Sequence, residues 1–110
     1  MNTSERILEF DVQRQRLTKN RNCDFANIVS GTSGYLKAKF NFSQSEWMGC
    51  RKAASFWLND KETAVLLDEN NSCVIPSEAL IGDRFEVSVT GVRTNYKIVT
   101  NKSVVKQEVY

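Results

Sequence analysis

From Tyr35 to Phe42 the chain alternates: Leu36, Ala38, Phe40 and Phe42 are apolar, and Lys37, Lys39 and Asn41 between them are polar. Successive side chains of a strand point to opposite faces, so this period of two predicts a half-buried strand. A helix would scatter the same apolar residues around its circumference. Arg84 to Gly91 repeats the pattern, with Phe85, Val87 and Val89 inward and Arg84, Glu86, Ser88 and Thr90 outward. Near the start, Leu8, Phe10 and Val12 alternate with Glu9, Asp11 and Gln13. Three clean alternations predict antiparallel sheet.

Shorter strands are predicted over Ala53–Leu58 and Thr63–Leu67, joined by the polar connection Asn59-Asp60-Lys61-Glu62. Asp68-Glu69-Asn70-Asn71 then turns the chain into a strand over Ser72–Ile75. Ser30–Gly34 reads as a loop, and Pro76–Leu80 as one helical turn with Pro76 near its start. Tyr96–Val109 holds the β-branched pairs Ile98-Val99 and Val104-Val105 and reads as one bent strand or two short ones. The fold class expected is therefore all-β: an antiparallel sandwich or partly open barrel of seven to eight short strands, with at most one helical turn.

Length adds that the 110 residues make one domain, 1–110, large enough to fold without staples. A hydrophobic share of 41% and a charged share of 25% are those of an ordinary globular chain. The net charge of +2 favours neither a nucleic-acid platform nor a membrane surface. No secretory leader and no membrane helix are expected, since no apolar run approaches about 18 residues. Cys23, Cys50 and Cys73 are odd in number and widely spaced, which predicts reduced thiols in a protein made in the cytosol.

Candidate chemistry is sparse. The chain has no histidine, which removes the commonest general base and metal ligand. Ser103-Val104-Val105-Lys106 matches S-x-x-K, but the companion elements S-D-N and K-T-G are missing. Asp68, Asn70 and Ser72 alternate as oxygen donors; the Gly and Glu that a calcium loop then needs are Cys73 and Ala79, so a turn explains them better. No cofactor and no metal site is expected. The run Arg14–Arg21 concentrates positive charge, with Arg14 and Arg16 expected on one face of a solvated strand. Trp47 is expected to fold over the open end of the core. Trp57, between Phe56 and Leu58, is sent to the opposite face and is the better surface candidate. Val104, Val105, Val109 and Tyr110 are expected to leave apolar area open near the chain end as a contact surface. Deleting Ser103–Tyr110 is then expected to spare the sheet.

Tyr35–Ser43, then Trp47 and Gly49, Val65–Asn70, Cys73–Pro76, Phe85–Gly91 and the opening Leu8–Val12 together resemble small proteins encoded by phages and prophages of Gram-positive bacteria such as clostridia. The likeness spans almost the whole chain and carries no catalytic signature. Arg14 stands where that pattern has a Gly, and Ser77 where it has an aromatic. The resemblance implies a non-enzymatic virion module of a tail, baseplate, neck fibre or capsid decoration. Such a module would be made in the host cytoplasm and bind other virion subunits as a homo-oligomer, with neither nucleic acid nor membrane as a partner. Two alternatives from other classes are a small phage-encoded inhibitor of a host defence protein and a carbohydrate-binding module built on Trp57. Fold-level likeness does not decide among them.

Overall fold

The computed structural model describes residues 5–43 and 45–110; Met1–Ser4, which open the segment expected to precede the first strand, and Gln44 lie outside them. Among the described residues, nine strands pair into two sheets. One sheet has the order β2-β1-β3-β6, formed by β1 (Arg6–Gln13), β2 (Arg16–Lys19), β3 (Leu36–Phe42) and β6 (Ser72–Val74). The other has the order β5-β4-β7-β8, from β4 (Arg51–Leu58), β5 (Lys61–Leu66), β7 (Arg84–Arg93) and β8 (Tyr96–Val99). β9 (Ser103–Lys106) joins it beside the N-terminal half of β7. The molecule is an all-β sandwich.

The alternations lie as the sequence predicts. Leu8, Phe10, Val12, Leu36, Ala38 and Phe40 of one sheet meet Ala54, Phe56, Phe85, Val87 and Val89 of the other, all buried in one core. Phe10 and Phe40 face each other across the β1–β3 pair with ring centroids 5.3 Å apart. The tail forms two short strands: β8 follows β7 through a tight turn, and β9 continues along the same edge.

Several details differ from expectation. β1 and β3 run parallel, with Leu8 beside Ala38 and Phe10 beside Phe40, so the first sheet is mixed. The chain reaches β3 by an irregular segment held against β1 by side chains. The Arg6 guanidinium donates to the carbonyls of Asp24, Ala26 and Asn27, Cys23 Sγ accepts from Glu9 N, and Phe25 sets its edge on Phe10. A 3-10 turn at Ser77–Ala79 matches the turn expected after Pro76, and a second one spans Ser45–Trp47. Asn59 takes a φ of 57°, which lets β4 and β5 close directly from Leu58 to Lys61; Lys61 and Glu62 therefore belong to the strand.

Arg14 and Arg16 do not share a strand face. Gln13 pairs with Arg16, which leaves Arg14 in the turn with a φ of 55°, the left-handed region that a Gly would occupy freely. Val105 is also misplaced by the sequence reading. It is fully buried opposite Phe85 and belongs to the core, because β9 is a full member of the sheet. Deletion of Ser103–Tyr110 would therefore remove a core strand, together with buried Gln107 and the Glu108 backbone bonds to Ile28 and Ser30.

The sandwich is closed along one side by a side chain. Asn101, between β8 and β9, accepts from Leu17 N at 2.7 Å and donates to Leu17 O at 3.2 Å, as a neighbouring strand would. Its own backbone N–H reaches Gln15 O. At one end Trp47 fills the core, tilted against Phe42 and donating its indole N–H to Arg14 O at 2.7 Å.

The cysteines are free thiols, with Cys73 buried opposite Ala38 and the other two half-buried. Burial pushes the Cys73 thiol up from 9.0 to about 12, Asp68 adding to the shift and Lys37 opposing it. A folded-state pKa above the unfolded one means that the fold favours the neutral thiol. Its contribution is whole below about pH 9 and is lost as pH rises toward 12. Urea midpoints at pH 8 and pH 10.5 should therefore fall further for the wild type than for Cys73→Ala. Equal losses would show that the thiol has no part in the alkaline weakening.

Candidate functional surface

The S-x-x-K match builds no catalytic pair. Ser103 shares a strand face with buried Val105, and Lys106, three residues on, points from the opposite face. The Asp68 carboxylate is occupied by the turn itself, accepting from Asn70 N at 2.9 Å and Ser72 N at 3.0 Å. Among the described residues no three or more Asp, Glu or Cys side chains gather as metal ligands. Among the described residues no helix is long and apolar enough to cross a membrane.

What remains is the pair of outer sheet faces, and they differ. On the four-stranded sheet, the outward positions of β1, β2 and β3 carry Ile7, Glu9, Asp11, Gln13, Arg16, Thr18, Lys37, Lys39 and Asn41, and exposed Ile7 and Val74 flank Lys37 near one edge. Asp11 there accepts from the side-chain amides of Asn20 and Asn41. Apart from Ile7 and Val74, such a face is satisfied by water and by itself.

The outward face of the five-stranded sheet is apolar over much of its area. Register places Leu66, Ala53, Thr90 and Val99 in one row across β5, β4, β7 and β8. The next row toward the end of β4 holds Ala64, Ser55 and Ser88. Leu66 is 62% exposed, Val92 47% and Val99 44%. Ser55 and Ser88 are buried beneath larger neighbours: Ser55 Oγ donates to Glu62, and Trp57 Nε1 donates to Ser88 Oγ at 3.1 Å. A sandwich strand ordinarily alternates apolar-in with polar-out, so exposed apolar residues in adjoining outward positions make this face a candidate surface.

Trp57 lies on this face as its alternation predicts, half-buried. The Lys102 ammonium sits 3.8 Å from its ring centroid. The face of the indole that a sugar ring would need is thus covered by a cation, which counts against the carbohydrate reading. Val104 is half-buried in the row of Trp57 and Glu86. Val109 and Tyr110 are exposed past the last strand, with the Tyr110 hydroxyl bonded to Glu108. The structure brings Trp57 and Val104 together and leaves Val109 and Tyr110 outside that patch.

Leu66, Val92 and Val99 were not singled out by sequence reasoning. The signal was present: Val65-Leu66 and Ile98-Val99 are adjacent apolar pairs, and a strand carrying two apolar neighbours shows one of them to each face. Compared with protein-family models, with curated proteins and with solved structures, the chain matches none.

Proposed function

We propose that the protein is a non-catalytic structural module of a bacteriophage particle, which assembles with itself and with other virion subunits through sheet surfaces. The observation that supports this reading is the outward apolar face of the five-stranded sheet, with Leu66, Val92 and Val99 open to solvent. A contact face on a rigid sandwich is what an assembly subunit needs, and its chemistry asks for no cofactor. The resemblance to phage and prophage proteins supplies the setting. Mass spectrometry of particles purified from a lysate of cells carrying the gene should find the protein in fixed proportion to the major head or tail subunits. Its confinement to the soluble fraction, with washed particles free of it, would overturn the reading.

A further inference from the structure

The open side of the sandwich is the edge of β5. Asn59-Asp60 makes the turn from Leu58 to its partner Lys61, and Leu67 N donates to Lys52 O at 2.9 Å. Both fix the phase of the ladder. Lys61, Thr63 and Val65 turn their backbone groups toward β4, while Glu62, Ala64 and Leu66, all exposed, turn theirs away. Other sheet edges are met by distant or neighbouring parts of the chain. Asn101 bonds both backbone groups of Leu17 in β2, Gln15 donates to Val99 O in β8, and Asp68 bonds both backbone groups of Ser72 in β6. β5 pairs with β4 alone and has no such cover among the described residues. Free N–H and C=O groups on an edge invite a further strand, and charged side chains ordinarily guard against it. Here that guard is thin: Lys61 stands at the turn, Glu62 is drawn in over its own sheet by the Ser55 hydroxyl, and Ala64 and Leu66 carry no charge.

Resting on the assembly reading above, we infer that β5 is joined edge to edge by β5 of a second copy of the same chain. The two strands run antiparallel about a two-fold axis that passes beside Ala64, perpendicular to the sheet. The phase of the ladder selects this register. Hydrogen-bonded pairs can form only among Glu62, Ala64 and Leu66, and the register that uses all of them sets Ala64 against its own counterpart and Glu62 against Leu66. Each such pair exchanges two bonds, so the join makes about six. A shift of two residues would lose a pair, and a shift of one would turn the bonding groups away from each other. Ala64 is the residue that meets itself across the axis, where Cα atoms approach to about 5.5 Å. A methyl group fits there, whereas a charge would face its like. Beside the axis Thr63 meets Val65 and Lys61 meets Leu67, so no like charges stand opposite within the strand. Asp60 and Asp68 come next in the register but belong to the turns, and the Asp68 carboxylate is held in its own turn by Asn70 N and Ser72 N. Two-fold contacts are isologous, so one edge serves both copies and the assembly closes.

A join of one short strand from each copy is small, which places it among the weak, reversible contacts. Sedimentation velocity of the full chain should show monomer at low micromolar concentration and dimer at several hundred micromolar. In amide hydrogen exchange at the higher concentration, the N–H groups of Glu62, Ala64 and Leu66 should gain protection, while those of Thr63 and Val65 are held by β4 at both. Ala64→Pro removes an N–H that β4 does not use, and a proline is tolerated on an edge strand with that side outward. It should weaken dimerisation at least about tenfold without changing the circular dichroism spectrum. Ala64→Lys and Ala64→Glu should each weaken it by setting like charges across the axis, and an equimolar mixture of the two chains should dimerise again. A wild-type chain that stays monomeric throughout, a dimer indifferent to Ala64→Pro, or a mixture no better than its parts would overturn the inference. A monomeric wild type whose Ala64→Pro variant is lost from purified particles would overturn it too, and would give the edge to another virion subunit. Particle incorporation of the wild type, scored separately by mass spectrometry, can succeed while the dimer fails, so failure of this inference and failure of the virion reading are distinguishable.

Discussion

Phe40→Ala should destabilise the protein by about 3–5 kcal/mol, while Lys39→Ala beside it should stay within about 0.5 kcal/mol. Phe40 is fully buried, lies nearly parallel to Phe10 at a tilt of 18°, and contacts Phe42 as well. Truncation removes the ring's transfer free energy and leaves a void between two paired strands whose backbones are fixed by their ladder, so the site cannot collapse. Val87→Ala, buried in the opposite sheet, should cost about 2 kcal/mol, since fewer methyl groups are lost. Lys39 lies on the outer face, paired laterally with Glu9 and Ser72. Urea denaturation of the three variants reads these values directly. If Lys39→Ala were as costly as Phe40→Ala, the register of β3 would be wrong by one residue.

That contrast is legible from sequence because β3 and β7 bury one face each, and burial on one face writes itself as period two. The connection between β2 and β3 is different. Phe25 and Ile28 pack against the core, yet no periodicity surrounds them, since the segment is held by Arg6, Cys23 and single backbone bonds. Apolar residues that enter a core from an irregular chain leave no pattern to read. The parallel pairing of β1 with β3 was hidden for the same reason: alternation names the buried face of a strand and says nothing of its direction. Val105 was misread because β9 is short and pairs with only half of β7. Its alternation extends over too few residues to announce itself. Asn101, which closes the sandwich on Leu17, resembles any turn asparagine until its partner, distant in the chain, is beside it.

The contact face was legible in part. Trp57 was placed on the outer side by its position between Phe56 and Leu58, and the structure puts it there. Leu66, Val92 and Val99 needed the registers of β5, β7 and β8 before they fell into adjoining rows. An exposed valine alone is unremarkable on any protein surface; several in register across neighbouring strands are a patch. Strand faces are local information, and the assembly of faces into a surface is not.

The end of the core offers the sharpest test of packing. Gly91 lies within β7, two residues before its end, where a glycine ordinarily weakens a strand. Its reason is Trp47: a Cβ at position 91 would lie 2.9 Å from two carbons of the indole ring and 3.2 Å from Cys50 Cβ. The ring cannot step aside, being buried, packed on Phe42 at 5.0 Å between centroids and bonded through its N–H to Arg14 O. Gly91→Ala should therefore cost about 1–3 kcal/mol as an overpacked site, although an alanine in a strand would otherwise be favoured over glycine by about 0.5–1 kcal/mol. Trp47→Ala should cost about 3–5 kcal/mol, from the lost ring and the cavity it leaves. Combined, the two should not add. With the indole gone, the methyl group of Ala at position 91 enters empty space, and the second substitution becomes neutral or stabilising. A double-mutant cycle by urea denaturation should return a coupling of about 1–3 kcal/mol between the two positions. Equal costs for Gly91→Ala with and without Trp47 would mean that the glycine serves the strand's backbone and not the ring that rests on it.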